Sequence, residues 1–265
     1  MRIFLILLLF CQTVSVGQDY VQTQAVFDSI PEGYEVASPS IIPDSDAMVV
    51  GLYKDWEYKT PYFAEKDMNG KWQLGPFPMI DTIYNIATGN REFIYARKKK
   101  TPEGEISKVF VFGSNGGCLI REKEIKALEN INAGYFNFVN ETLYFFARKP
   151  KTGIYSVKMS DSNIESEPVW LSDALSLPDS DSFDVLMHPS EEKLLISQYY
   201  DVKKYPERGE PGIYYYEKIG GDWQRLKRLP LPYGWGPTIT DDGWFIFAVA
   251  SELRMVELSK LGIPW

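Results

Sequence analysis

The sequence predicts an all-β protein, a single five-bladed β-propeller, with a six-bladed ring as the alternative. The first observation is a repeat: short apolar segments rich in β-branched and aromatic residues begin at residues 48, 93, 143, 194 and 244. Segments of this length between turn residues are typical of strands. The second observation is that no long stripe with the period of an amphipathic helix lies outside the N-terminal segment. The five segments are MVVGLY, FIYARK, LYFFAR, LLISQY and WFIFAV.

Each apolar segment lies in the same context, which predicts a four-stranded unit. A strand that ends in a turn precedes it, a second aromatic strand follows it, and in four of the five units an outer strand comes next. An antiparallel meander that repeats about every 50 residues is the unit of a propeller blade. The predicted inner strands lie within 38–46, 84–92, 136–142, 183–193 and 236–243, and the outer strands within 71–77, 118–125, 167–173 and 222–229.

The N-terminal strand is expected to complete the ring. The fifth unit ends without an outer strand, and the segment 20–30 has the composition of one. Pairing of this segment with the fifth unit removes an exposed sheet edge. The sequence contains no sixth copy of the unit, so five blades are favoured over six.

Two similar phrases, NGKWQ and GGDWQ, predict equivalent hairpins in the first and fourth units. Asn-Gly and Gly-Gly pairs tolerate the positive φ of a tight hairpin turn. The tryptophans that follow the turns are Trp72 and Trp223. We expect both side chains to pack between neighbouring blades rather than to stack on a ligand.

These pieces together resemble the WD40-like, TolB-type β-propeller repeat that is common in exported bacterial proteins. The pattern of that repeat is an S-P-D-G-type turn before an apolar strand, then a strand with I-Y, then G-x-W. The chain carries it as SPSIIPDSD, MHPSEEK and TDDGWFIFA, as GIYSVKM and GIYYYEK, and as NGKWQ and GGDWQ. The resemblance covers nearly the whole chain after the N-terminal segment, although the second and third units lack the Pro-Asp-Gly turn. It implies a propeller used for binding or scaffolding, and fold alone does not fix function.

The first 17 residues predict a secretory signal peptide, which leaves 18–265 as the propeller domain. Arg2 precedes an apolar run that ends at Phe10, and small or polar residues follow as far as Gly17. The run is shorter than a membrane-spanning helix. We therefore expect an exported protein, periplasmic or extracellular. Lipid attachment at Cys11 is the alternative, which Phe10 disfavours because a small residue normally precedes a lipidated cysteine.

Composition argues against several classes of partner. The net charge of −8 disfavours nucleic acid and anionic membrane surfaces. After residue 17 the chain has no further segment that is apolar enough to cross a membrane, and Cys118 is its single cysteine, so an intramolecular disulfide is excluded. We expect a monomer whose partner is a protein or a polysaccharide.

The mouth of the central channel is the expected location of function, because the loops that enter the inner strands line it. The residues predicted there are Pro39, Asn85, Asn137, Asp184 and Pro237. Asp184 is the one carboxylate of this set, whereas a glycosidase needs two carboxylates that face one point. A carbohydrate-active enzyme that uses Asp184 with Asp81 or Glu35 is therefore the alternative function.

Aromatic and basic residues near the same mouth favour a non-catalytic protein that binds a protein or glycan. Tyr and Trp in exposed loops suit such recognition. Three loops that join second to third strands carry Lys or Arg beside Pro and Gly, and would form a basic crescent for an anionic partner. The predicted binding residues are Tyr84, Asn85, Tyr135, Asn137, Asp184, Tyr233, Trp235, Lys99, Arg148 and Lys203.

No cofactor and no metal site is predicted. His188 is the only histidine, so it has no second histidine with which to bind zinc, and its place in MHPSEEK indicates a turn. The acidic segment 179–184 lacks the glycine and the downstream glutamate of a calcium-binding loop, which favours a solvated loop.

Overall fold

The protein is built almost entirely of antiparallel β-strands. Its structure, a computed structural model, describes residues 20–55, 57–76, 83–88, 92–101, 104–115, 118–128, 133–160, 163–164, 166–176 and 181–265. Helical structure in these ranges is limited to four short 3-10 turns, at Lys126–Leu128, Asp173–Leu175, Pro206–Arg208 and Leu258–Leu261. None of the helical turns in the described ranges approaches the length needed to cross a membrane.

The strands follow one another along the chain with short connections. The first ten are β1 (Gln24–Ala25), β2 (Glu35–Ile41), β3 (Ala47–Lys54), β4 (Glu57–Lys66), β5 (Trp72–Pro76), β6 (Ile83–Thr88), β7 (Glu92–Thr101), β8 (Gly104–Asn115), β9 (Cys118–Glu124) and β10 (Gly134–Val139). The others are β11 (Thr142–Ala147), β12 (Gly153–Ser160), β13 (Asn163–Ile164), β14 (Val169–Trp170), β15 (Asp181–Met187), β16 (Lys193–Tyr199), β17 (Gly212–Ile219), β18 (Asp222–Arg228), β19 (Trp235–Ile239), β20 (Trp244–Val249) and β21 (Glu252–Glu257).

Four sheets are regular four-stranded blades. Three of them are meanders of consecutive strands, β2-β3-β4-β5, β6-β7-β8-β9 and β15-β16-β17-β18. The fourth has the order β1-β21-β20-β19, with Gln24 opposite Met255 and Ala25 opposite Arg254. The N-terminal strand therefore occupies the outer edge of the last blade, as the sequence predicted.

The prediction of a ring of five equivalent blades, like its six-bladed alternative, is wrong. The fold is propeller-like with four regular blades, and the remaining sheet has five strands: β13 and β14 both pair with β12. The outer strand predicted at 167–173 is shorter in the structure and covers only Val169–Trp170. Pro168 cannot donate to a ladder, and Ser172 accepts a hydrogen bond of 3.1 Å from the N–H of Ala174, which starts a 3-10 turn.

The hydrophobic core lies between neighbouring sheets. Trp72 of the first blade packs in one cluster with Ile246 and Ala248 of the last blade, and its side chain is 5% exposed. Trp223 packs in another cluster with Tyr144 of the five-stranded sheet. The prediction that both tryptophans pack between blades is confirmed. Burial of such large side chains is a main source of stability for a fold of this kind.

Candidate functional site

The inner strands β2, β10, β15 and β19 line a narrow central channel of about 50 Å³. Each of these strands has a β-bulge, where two residues have no ladder partner, and the first residue of the bulge has a positive φ. These first residues are Ser38 (φ 53°), Tyr135 (56°), Asp184 (54°) and Gly236 (62°). All four line the channel. The repeated bulge therefore turns one equivalent residue of each strand toward the same space.

The bulge also corrects the alignment of the mouth residues. Asp184 is the first residue of its bulge. The residues at the same position of the other three bulges are Ser38, Tyr135 and Gly236. The sequence alignment had instead matched Asp184 with Pro39, Asn137 and Pro237. The backbone of β6 has the same shift between Tyr84 and Ala87, which puts Asn85 at the equivalent position of that blade. The spacing of the sequence does not reveal the bulge positions, because a bulge adds a residue to a strand without changing its composition.

Among the described residues, three non-glycine residues with a positive φ, Ser38, Tyr135 and Asp184, line this channel, whereas the six others lie in turns between strands. The left-handed region is uncommon for residues other than glycine, and a bulky side chain such as that of Tyr135 is a clear outlier there. Such conformations cost about 1–3 kcal/mol each and are kept where the surrounding structure forces them, often at functional sites. The strain within three inner strands therefore indicates a candidate functional site at the channel.

Asp184 is the carboxylate among the described residues that line the channel. Its Oδ2 accepts a hydrogen bond of 2.8 Å from the backbone N–H of Gly236, on the inner strand of the next blade. Burial raises the pKa of this carboxyl from 3.8 to about 7, and the Gly236 hydrogen bond opposes the rise. The side chain is thus poised to gain or lose a proton near neutral pH.

Tyr53 is a second polar group beside this carboxyl. Its hydroxyl shares a hydrogen bond of 3.1 Å with Ser38 Oγ. Burial raises the pKa of Tyr53 to about 12, the Ser38 hydrogen bond lowers it, and the charge of Asp184 raises it. Tyr53 could not be predicted from the sequence, since nothing in MVVGLY indicates which side chain reaches Ser38. Asp184, Ser38 and Tyr53 together form a small polar cluster with room for ordered water.

Asn137, a predicted binding residue, lines the channel and also joins two inner strands. Its Oδ1 accepts a hydrogen bond of 2.8 Å from the backbone N–H of Met187. The bond joins β10 to β15, the inner strand of the next blade along the chain. The side chain thus helps to hold two sheets at a fixed distance.

An arc of aromatic side chains lies on the rim of the mouth. The rings of Tyr199 and Tyr233 are 5.6 Å apart, and those of Tyr233 and Trp235 are 6.1 Å apart. Trp235 begins β19 and Tyr199 ends β16, so both lie where the inner strands enter from the mouth. Tyr199 is 54% exposed. Tyr233 and Trp235 were predicted for this surface. Tyr199 was missed, because it was counted within the buried segment LLISQY.

The three predicted basic residues of the mouth lie in or beside the segments that join second to third strands, as Lys203, Arg148 and Lys99. Lys203 is exposed in the loop after β16, where its backbone N–H donates to Asp201 Oδ1. Arg148 is exposed and lies 5.4 Å from the centre of the Phe146 ring. The backbone of Lys99 pairs with Ile106 in the long β7–β8 hairpin.

The other predicted residues have less defined places. Glu35 begins β2 opposite Tyr53 and is not among the residues that line the channel. Asp81 lies outside the described residues. Tyr84 and Asn85 are described by the backbone of β6.

His188 forms part of its own turn, as predicted, because its Nδ1 accepts a hydrogen bond of 3.0 Å from the N–H of Ser190. In the described ranges no three His, Cys, Asp or Glu side chains lie close enough together to hold a metal ion.

The fold and the channel define a β-propeller-like protein, and comparison with solved structures agrees. The catalytic domain of a GH62 α-L-arabinofuranosidase from Coprinopsis cinerea has a TM-score of 0.56 at 9% identity, with 92% of this chain and 99% of that chain covered. XC5397 from Xanthomonas campestris, described as a gluconolactonase, has a TM-score of 0.53 at 11% identity, with 89% of each chain covered.

TolB from Acinetobacter baumannii is also similar, with a TM-score of 0.52 at 10% identity. The match covers 85% of this chain and 52% of the TolB chain, so this chain spans about half of that protein. No protein-family model and no curated protein sequence matches the chain. At these identities the similarity shows the fold alone. The WD40-like repeat family is therefore still a prediction.

Proposed function

We propose that the chain is an exported, non-catalytic β-propeller protein that binds a protein or glycan partner through the loops of its mouth. The observation that carries the proposal is the aromatic arc of Tyr199, Tyr233 and Trp235. Tyr199, the outer ring of the arc, is 54% exposed and lies 5.6 Å from the Tyr233 ring. Aromatic side chains that combine apolar area with a polar tip are enriched at recognition surfaces.

The position of Asp184 supports binding over hydrolysis. Its carboxylate lies in a narrow channel of about 50 Å³, which has room for ordered water. Its recorded hydrogen bond is to the backbone of the neighbouring blade, which is a structural use of the group. Glycoside hydrolysis needs a second carboxylate about 5–10 Å away, and Glu35 does not line the channel.

A carbohydrate-active enzyme is the second candidate, and one observation favours it. A carboxyl whose pKa is about 7 has the acidity expected of a general acid at neutral pH. In this alternative Asp184 would act with Asp81 or Glu35.

The test is a screen of the protein against neutral and acidic oligosaccharides and a peptide library, at low and moderate salt, with product analysis of each mixture. We expect binding without turnover, weakened at least fivefold by Tyr199→Ala. Met68→Ala is the control, because Met68 is fully exposed on the opposite face of the propeller. Turnover that Asp184→Asn abolishes would instead establish the enzyme. Equal loss of binding in both alanine variants would refute a role for the arc.

A further inference from the structure

The face opposite the mouth carries two adjoining cavities, of about 260 and 550 Å³, which both include Asp242. The hairpins β2–β3 and β19–β20 line the smaller one, and the 3-10 turn after β21 with the residues that follow lines the larger one. We name the pair the basal groove. Its acidic wall is Asp44, Asp46, Asp241 and Asp242, and its apolar floor is Leu258, Ile263 and Trp265.

We propose that the basal groove is a second binding site, for a peptide segment that presents a Lys or Arg side chain next to an apolar one. This site is independent of the mouth and of the function proposed for it. A peptide is the expected ligand because the groove joins negative charge to an apolar floor, and a segment of mixed character complements both.

The protein itself shows which group the acidic wall holds. The ammonium group of Lys66 lies 2.6 Å from Asp242 Oδ2 and 3.7 Å from Asp46 Oδ1, and its side chain is 12% exposed. The same ammonium group is 5.3 Å from the centre of the Trp72 ring. The wall therefore binds one alkylammonium group through carboxylates and an aromatic face, the combination that suits a cation.

Lys66 does not neutralise every carboxylate of the acidic wall. The side chain of Asp46 is 81% exposed even while it contacts Lys66. Asp44 and Asp241 are exposed, and no ion pair recorded for the described residues involves either of them. Two carboxylates thus remain available to a cationic side chain of a partner.

The apolar floor adjoins this charge, because Asp242 lines both cavities. Ile263 and Trp265 are partly exposed in the larger cavity, and the Trp265 ring meets the His188 ring edge-on at 5.2 Å. Lys227 Nζ holds the backbone in place by donating to the carbonyls of Leu261 and Gly262, at 2.8 and 2.9 Å. A partly exposed tryptophan on a fixed backbone is a typical anchor point of a protein interface.

The experiment uses a fluorescein-labelled hexapeptide that alternates lysine with leucine and tryptophan, and measures its fluorescence anisotropy with the protein at low and moderate salt. Two matched peptides replace the lysines by glutamate or the apolar residues by serine. We expect the first peptide to bind with a dissociation constant below about 1 mM and both matched peptides to bind at least fivefold more weakly.

The groove variant is Asp44→Asn with Asp241→Asn, which removes two exposed charges and leaves the Lys66–Asp242 pair intact. Asparagine also tolerates the positive φ of residue 44. The control is Glu207→Gln with Glu210→Gln, an equal change of charge on exposed residues of the mouth face. Binding should weaken about fivefold in the groove variant and stay unchanged in the control.

Three results would overturn the proposal: no binding of the lysine peptide at 1 mM, equal loss in the groove and control variants, or equal binding of the serine peptide. Sedimentation velocity tests a fourth result that would overturn the proposal. A dimer that the groove variant dissociates would show that a second copy of the chain, rather than a peptide of another protein, occupies the groove. Thermal unfolding of each variant identifies any loss that comes from misfolding.

Discussion

The backbone N–H of Gly236 donates a hydrogen bond of 2.8 Å to Oδ2 of Asp184, and the two residues occupy equivalent bulge positions of neighbouring inner strands. The bond fastens β15 to β19 at the centre of the propeller. The protonation of Asp184 therefore depends on the geometry of the channel, because its carboxyl group is largely shielded from water.

Asp184 should make stability depend on pH. Its pKa in the folded protein is raised to about 7 from 3.8, so the folded state prefers the protonated form. The associated stability is fully present below pH 3.8 and is lost as pH rises through about 7. Asp184→Asn keeps an oxygen for Gly236 and removes the charge. We expect the variant to have an unfolding free energy roughly 2–4 kcal/mol above that of the wild type at pH 8, and a similar one at pH 4.

Urea denaturation at pH 4, 6 and 8 measures this difference. The matched control is Asp222→Asn, since Asp222 is exposed in the β17–β18 hairpin and should change stability by less than about 0.5 kcal/mol. A variant at residue 184 with the same pH dependence as the wild type would show that the carboxyl is not desolvated.

Glu191 should couple two sheets. Its Oε2 accepts a hydrogen bond of 2.7 Å from the hydroxyl of Tyr144, and its Oε1 accepts one of 3.2 Å from Asn140 Nδ2. Burial raises the pKa of Tyr144, and the hydrogen bond and charge of Glu191 raise it further. A double-mutant cycle of Tyr144→Phe with Glu191→Gln should give a coupling energy of about 1 kcal/mol. The same cycle with Glu192→Gln should be additive, because Glu192 is exposed; equal couplings would argue against the contact.

Gly153 should tolerate no side chain. A Cβ at this residue would lie 2.5 Å from Trp170 Nε1 and 2.8 Å from Ser176 Oγ, both of which are buried. We expect Gly153→Ala to lower the unfolding free energy by about 1–3 kcal/mol through overpacking. Gly75→Ala is the control, since its Cβ would meet nothing nearer than the Phe63 carbonyl at 3.9 Å. Chemical denaturation of both variants makes the comparison, and equal midpoints would contradict it.

Tyr199 and Tyr200 should differ in their effect on stability although they are adjacent. Tyr199 is 54% exposed, whereas Tyr200 is 3% exposed and its hydroxyl bonds the Arg208 carbonyl at 2.9 Å and the Tyr214 hydroxyl at 3.0 Å. Tyr200→Phe should cost about 1–2 kcal/mol, because it leaves buried partners unsatisfied. Tyr199→Ala should stay within about 0.5 kcal/mol. Thermal and urea unfolding distinguish the two, and a large loss at Tyr199 would indicate a packing role for the arc.

Much of the fold could be predicted from local patterns. The five apolar segments all form strands, the N-terminal segment pairs with β21, and Trp72 and Trp223 pack between blades. Alternation of residue type and turn residues are local properties, so they can be read along the chain. The irregular β10–β14 sheet could not be predicted this way, because its outer edge depends on how Val169–Trp170 and Asn163–Ile164 compete for the same strand.

Sequence by itself determined that this protein is a repeat of antiparallel strands and that Asp184 enters an inner strand. Tertiary structure alone decided what those residues face. The bulges place Ser38, Tyr135, Asp184 and Gly236 around one channel, the chain's fold brings Tyr199 next to Tyr233, and it joins Asp242 to the floor at Trp265. The physical reason is that composition and period report the burial of a strand, whereas contacts between strands distant in sequence depend on register and bulges, which change the direction of a side chain without changing the pattern.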